Sequence, residues 1–456
     1  MKFNFSKILI TLLLPFLFLF SVSAQMQNSA VTITPDNALV SYLNNGDKSY
    51  NWELKDTYES DEVTIYSLLL TSQTWQNIVW THQLTIFVPK ENNYDGAMLF
   101  ITGGSVKNGL PNWKKPDDKL NLFFNAMAVK NKATVAILSQ VPNQPLYNGL
   151  TEDALISKTL HDFKNDNDYS KPLLFPMTKS AVRAMDAIQE FMKKNRDHQI
   201  NRFVVSGASK RGWTTWLTGA MDSRVKAIGP MVIDILNMPK NLTYQINAYG
   251  QYSEQINDYV KLGIVDDMRS ESGAAIIKMI DPYSYRKLLD KPKLLFMGTN
   301  DEYWVIDNVK NYLSDIPGIN LINYTPNAGH NLGGGISAFN ALSAFFGISL
   351  NNAAYPADSW KTKVKRGKVK ITVNATKDIL EDAKLWYANS TDKDFRNEKW
   401  ESRDLNITNT GKFTVAENLP KTGYHSFYID LIYKDANGGK YNVSTRAFMT
   451  DNKKIL

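Results

Sequence analysis

Cysteine is absent from all 456 residues. That excludes disulfides, a cysteine nucleophile and any thiolate metal site, and it leaves stability to buried apolar surface. A bacterial lipoprotein needs a cysteine at its new N-terminus, so lipid tethering by that route is excluded too. Histidine is scarce, with five residues and no His-x-His or His-x-x-x-His spacing, so no metal centre is expected. A phosphate-binding G-x-x-x-x-G-K-[ST] and a strand-linked G-x-G-x-x-G are also missing, and no cofactor is expected. The formal net charge of +7 is small for this length and is not gathered into a Lys/Arg block, which argues against a nucleic-acid partner. The short basic stretch Lys363–Lys368 reads as a solvated linker.

Hydrophobic residues make up 43% of the chain and charged residues 21%, enough to bury a large core rather than stay disordered. At about 150 residues per domain, two or three domains are expected. Residues 1–24 have their own pattern: Lys2 and Lys7, an apolar run from Ile8 to Phe20, then Ser21-Val-Ser-Ala24. This reads as a secretory signal peptide cleaved after Ala24, because the run is broken by Pro15 and is shorter than the ~20 residues a membrane span needs. No later segment is apolar enough to cross a bilayer. Export to the periplasm or the extracellular space is expected, without a lipid anchor.

Two alternating β-branched and aromatic runs, Glu62–Leu70 and Val79–Val88, open the body of the chain. Short continuous apolar runs follow: Ala97–Ile101, Ala133–Leu138, Arg202–Ser206, Val225–Ile228, Lys293–Met297 and Ile319–Tyr324. Helical patterns at Lys119–Asn131, Lys179–Lys194, Asn308–Leu313 and Ile336–Phe346 separate most of them. Strands apolar on both faces, alternating with amphipathic helices, predict an α/β fold with a mostly parallel sheet flanked by helices. This domain is expected over residues 25–355, with two insertions that roof a ligand crevice, a long loop rich in Pro, Asn and Tyr at about 140–177 and a Tyr-rich, partly helical excursion at about 237–290. From residue 356 to residue 456, alternating strands between turn clusters predict a small β-sandwich domain, immunoglobulin- or fibronectin-like.

The sharpest local signal is Phe203-Val-Val-Ser-Gly-Ala-Ser-Lys-Arg-Gly-Trp213. A buried strand ends in small residues, Ser209 follows, and a helix pattern begins, which is the setting of a nucleophile elbow. The spacing departs from G-x-S-x-G, since Arg211 fills the +2 position and the glycine is Gly212 at +3. A serine nucleophile needs a base. His82, His161, His198 and His425 lie before the sheet core, in the first insertion, at the sheet's far end and in the C-terminal strands. Elimination leaves His330, after the last apolar strand and in the chain order Ser…Asp/Glu…His. Asp301, on the loop after the preceding strand, is the candidate to orient it, with Asp234 as fallback. Backbone N–H groups of Lys210 and of Gly104, in Thr102-Gly-Gly-Ser105, are the candidate oxyanion donors.

These residues resemble a known family. Gly207-Ala-Ser-Lys-Arg-Gly-Trp213, Asp281-Pro-Tyr-Ser-Tyr285, Gly298-Thr-Asn-Asp-Glu-Tyr-Trp304 and Asn327-Ala-Gly-His330 look like the PhoPQ-activated pathogenicity-related protein family. The resemblance spans nearly the whole chain beyond the leader and implies an exported α/β-hydrolase-like protein with a C-terminal β-sandwich. The glycine at +3 is also similar to the elbow of glucuronoyl esterases, with Lys210 in place of an arginine. Two functions are carried forward. One is a serine hydrolase acting on a small-molecule ester or amide, a sugar ester or a peptide. The other is a secreted signalling or binding protein that keeps the fold with little or no catalysis.

Overall fold

In a computed structural model of the chain, Met1, residues 32–407 and residues 410–456 are described. The segment read as a signal peptide lies outside the described residues, apart from Met1. Met1–Ile33 is a separate unit, and every element named here belongs to the unit Thr34–Leu456.

A short helix α1 (Ala38–Leu43) precedes three antiparallel strands, β1 (Asn51–Glu59), β2 (Val63–Trp75) and β3 (Ile78–Pro89). Then come β4 (Gly96–Ile101), a two-residue hairpin of β5 (Val106–Lys107) and β6 (Leu110–Pro111), α2 (Lys119–Asn131), β7 (Thr134–Leu138), α3 (Glu152–Asp166) and α4 (Leu174–Arg196). Next are β8 (Arg202–Ala208), α5 (Lys210–Met221), β9 (Val225–Met231), α6 (Met238–Tyr249), α7 (Asn257–Lys261), α8 (Glu271–Ile280), β10 (Lys293–Gly298), β11 (Asn320–Thr325) and α9 (Ile336–Leu350). The C-terminal strands are β12 (Asp358–Lys365), β13 (Lys368–Ala375), β14 (Leu380–Ser390), β15 (Glu401–Asp404), β16 (Lys412–Asn418), β17 (Tyr424–Lys434), β18 (Lys440–Ser444) and β19 (Phe448–Thr450).

The fold is α/β, with a central sheet in the order β1-β2-β3-β7-β4-β8-β9-β10-β11. Its middle strands, β7-β4-β8-β9-β10-β11, pair in parallel. Each expected apolar run is one of these strands, because a strand covered on both faces has no polar side to show. β4 leads to one side, to β7, and β8 leads to the other, to β9. Their carboxyl ends therefore form a topological switch point, where a crevice opens above the sheet.

The same sheet continues past β11 through the pairing Ile322↔Ser444 into β18, β17, β14 and β15. A second sheet, β12-β13-β16, shares an apolar core with it, Val369, Ile371 and Phe413 meeting Leu385, Phe427 and Ile429. The C-terminal antiparallel strands are thus present, and one of their sheets is edge-joined to the central one.

Three local expectations differ. Residues 140–177, read as loop, contain α3 and the start of α4; Pro and Asn concentrate at the ends of these helices. Asn308–Leu313 forms 3-10 turns instead of an α-helix. Lys363–Lys368 is no linker but the tip of the β12–β13 hairpin, turning at Arg366-Gly367 with both residues at positive φ. Its lysines are exposed because β12 is an outer edge strand, which charge protects from further pairing.

Candidate active site

Ser209 stands between β8 and α5 with φ 59° and ψ −126°. A non-glycine residue in that region costs about 1–3 kcal/mol and persists only where its surroundings fix it. Here the Ser209 N–H donates to Met231 O at 2.8 Å, and the Trp213 N–H donates to Ser209 O at 3.0 Å, opening the helix. The two glycines allow the strand and helix to approach this closely. A Cβ on Gly207 would lie 2.9 Å from Ile101 O, and one on Gly212 would lie 2.8 Å from Met231 O. That contact explains why the second glycine sits at +3, where α5 crosses β9.

Asp301 and His330 meet at the carboxyl ends of β10 and β11. His330 Nδ1 is 3.0 Å from both carboxylate oxygens of Asp301. Asp301 is 4% exposed and also accepts the Tyr303 N–H at 2.9 Å, so its position is fixed by its own turn. Burial pushes its carboxyl up from the ordinary value, opposed by the hydrogen bond and charge of His330. Glu302 points the other way and accepts the His330 backbone N–H at 2.9 Å. The Tyr303 ring lies against the imidazole, centroids 4.2 Å apart. His330 Nε2 is buried and has no hydrogen-bond partner among the described residues; it is not bonded to Ser209.

Asp234, the fallback acid, does not contact the imidazole. It is buried behind Asp301, and the two line one small internal cavity with Trp304 and Tyr324. Burial pushes its carboxyl up to about 8, and the charge of Asp301 adds to the rise. The remaining histidines are structural. His82 bonds Ser72 and the Ser139 carbonyl inside the core, and burial lowers its pKa to about 4. His198 bonds Tyr94 O and His425 bonds Asn389, while His161 sits on α3.

Gly104 has φ 138°, a conformation open to glycine, in the turn after β4. Its N–H and that of Lys210, in the first turn of α5, have no acceptor among the described residues. The Arg211 guanidinium packs against this turn, its Nη2 occupying the space a Cβ on Gly103 would need. The same guanidinium grips Glu152 with two hydrogen bonds of 2.8 and 2.7 Å and donates to Val141 O. Lys210 Nζ lies 3.1 Å from Glu152 and 2.9 Å from Asp153. Two cations thus face two carboxylates beside the elbow. Residue-type reasoning singled out Lys210 and Arg211 but missed Glu152 and Asp153, whose signal is an acidic pair opening a helix in a stretch read as loop.

Glu152 is the group that reports on this clasp. Burial alone would raise its carboxyl; the hydrogen bonds and charge of Arg211, then the charge of Lys210, hold it at about 2. Arg211→Met is therefore expected to destabilise the protein by about 2 kcal/mol at neutral pH. This is less than the ~3–5 kcal/mol for a fully buried pair, because Glu152 is 37% exposed. A depressed folded-state pKa contributes stability above the unfolded value of 4.5 and loses it as pH falls toward 2, so the difference between wild type and variant should shrink over that window. Urea denaturation across pH measures it.

Two clefts open at this rim. One is lined by Ser209, Lys210 and Asp153 and by apolar side chains, among them Trp213, Leu242 and Ile276. Its roof comes from both insertions, with Leu160 from α3 and residues of α6, α7 and α8. The other is lined by Ala208, His330 and the aromatic rings of Phe100, Phe123, Phe124 and Phe339. Among the described residues no cluster of His, Asp and Glu has the makings of a metal site, and no helix is long and apolar enough to cross a membrane.

Comparison with known proteins bears on this architecture. Autocrine proliferation repressor protein A of Dictyostelium discoideum is 32% identical over 428 residues, covering 86% of this chain and 85% of that protein. Among solved structures, acetyl xylan esterase 1 from Thermoanaerobacterium sp. aligns with TM-score 0.48 and 18% identity, over 70% of this chain and 94% of that one. Acetyl xylan esterase from Paenibacillus sp. R4 aligns with TM-score 0.45 and 14% identity, over 65% and 87%. The sequence pattern of the PhoPQ-activated pathogenicity-related proteins matches residues 39–396, from α1 through the sheet and the elbow into the C-terminal strands. On that match, and on a relative aligned along most of both chains, this protein belongs to the PhoPQ-activated pathogenicity-related protein family.

Proposed function

We propose that the protein is an exported serine hydrolase that cleaves an ester or amide through an acyl-enzyme. Ser209 Oγ attacks the acyl carbonyl and gives its proton to His330 Nε2. Asp301 accepts the Nδ1–H, which fixes the tautomer and stabilises the imidazolium. The N–H groups of Lys210 and Gly104 receive the negative charge on the carbonyl oxygen. His330 then protonates the leaving alcohol or amine as the C–O or C–N bond breaks. Water, deprotonated by the same imidazole, attacks the acyl-enzyme and releases the acid, restoring the Ser209 hydroxyl.

The observation that carries this reading is the Asp301–His330 pair, held by both carboxylate oxygens at the same sheet rim as a serine in a strained elbow. The missing Ser209–His330 hydrogen bond is compatible with it, since such bonds are commonly long in free enzymes and tighten around substrate. Export rests on the pattern of residues 1–24. A second reading, a secreted regulator with little or no turnover, is supported by the name of the Dictyostelium relative, which describes repression of proliferation.

Labelling by a fluorophosphonate probe separates the two. The hydrolase reading expects labelling of the folded wild type and none of Ser209→Ala. Labelling that persists in the variant, or a folded wild type that takes no label, would sink it.

A further inference from the structure

We infer that the acyl group this site accepts is an extended apolar chain, seated in the cleft that opens at Ser209. The inference rests on the serine-hydrolase reading and adds the substrate class. Ser209 lines this cleft, so the carbonyl it attacks opens on it. His330, which protonates the leaving group, lines the other cleft instead. The acyl side and the leaving-group side are thereby distinguished.

The chemistry of the walls decides what the acyl side holds. Beyond Ser209, and apart from the Tyr303 hydroxyl, the polar side-chain groups are engaged within the protein. Asp153 pairs with Lys210 at 2.9 Å and accepts the Tyr259 hydroxyl at 3.0 Å. The Trp213 and Trp304 indoles donate to the Ile280 and Val232 carbonyls at 2.6 and 3.3 Å. The remaining wall is aliphatic, with Ile233, Leu242, Ile264 and Ile276 at its centre. An acyl group with several hydroxyls would lose hydration there with only the Tyr303 hydroxyl to replace it. A carboxylated one gains nothing from Lys210 and Arg211, whose two charges are balanced by Glu152 and Asp153.

The test uses p-nitrophenyl acetate, butanoate and octanoate with the full-length protein. Specificity, kcat/KM, is expected to rise about fourfold for each methylene the cleft buries, and so by at least about tenfold from acetate to octanoate. Ile276→Trp, and Leu242→Trp from α6, should each lower the octanoate-to-acetate ratio by about tenfold, with thermal melts checking that both fold. A flat or falling chain-length profile, or ratios untouched in folded variants, overturns the inference. If no ester is turned over and no probe labels, the hydrolase reading fails, and binding to Ser209→Ala still decides the cleft. Methyl octanoate held about tenfold more tightly than methyl acetate supports an apolar-chain site, and equal or undetectable binding of the two overturns it.

Discussion

Ser209→Ala is expected to lower kcat on any turned-over ester by about 10⁶-fold while KM changes little. The hydroxyl is the only atom removed, and the backbone that supplies the Lys210 and Gly104 N–H groups is untouched. What survives is binding and oxyanion stabilisation without a nucleophile. The companion variant, Ser209→Gly, should be equally inactive yet more stable than wild type by about 1 kcal/mol. Its φ of 59° is strained for serine and free for glycine, and the extra chain entropy of glycine cancels part of the relief. A gain in urea midpoint beside a loss of turnover would identify the elbow as a place where stability is given up for reactivity. If Ser209→Gly were markedly less stable than Ser209→Ala, the elbow would not be strained in that sense.

The second large effect separates two acids. Asp301→Asn is expected to lower kcat by about 10⁴-fold, because an amide donates where a carboxylate accepts and fixes the wrong imidazole tautomer. Asp234→Asn should leave turnover near wild type. The Asp234 carboxyl, pushed up to about 8 by burial, is protonated at neutral pH, and an amide of the same shape replaces it with no loss of charge. The two also differ in stability. A carboxyl whose folded pKa lies above its unfolded value of 3.8 makes the protein less stable as pH rises from there to about 8. Asp234→Asn removes that slope, so its advantage over wild type should grow with pH across this range, as followed by thermal melts. Loss of turnover in Asp234→Asn with Asp301→Asn active would reassign the acid.

Much of this site was legible from chain order. Buried strands announce themselves as apolar runs, and an α/β sheet delivers residues just after those runs to one edge. Chain order selects Ser209, Asp301 and His330 as candidates, and the structure pairs Asp301 with His330 but forms no bond between His330 and Ser209. The acidic partners of Lys210 and Arg211 were not legible. Glu152 pairs with Arg211 across 59 positions, and nothing local in the sequence encodes such a pairing. The helix that carries Glu152 was hidden by the proline- and asparagine-rich residues around it.

The sequence alone determined that there is no disulfide or thiolate chemistry, that a mostly parallel sheet forms, and which three side chains share its carboxyl rim. Periodicity and residue type are local properties, and they suffice for that. Only the tertiary structure decided that Asp301 holds the imidazole, that the charges beside the elbow cancel, and that an apolar cleft roofed by two insertions opens on Ser209. Each depends on how distant segments pack, which is set by the shape and burial of side chains brought together from far apart in the chain.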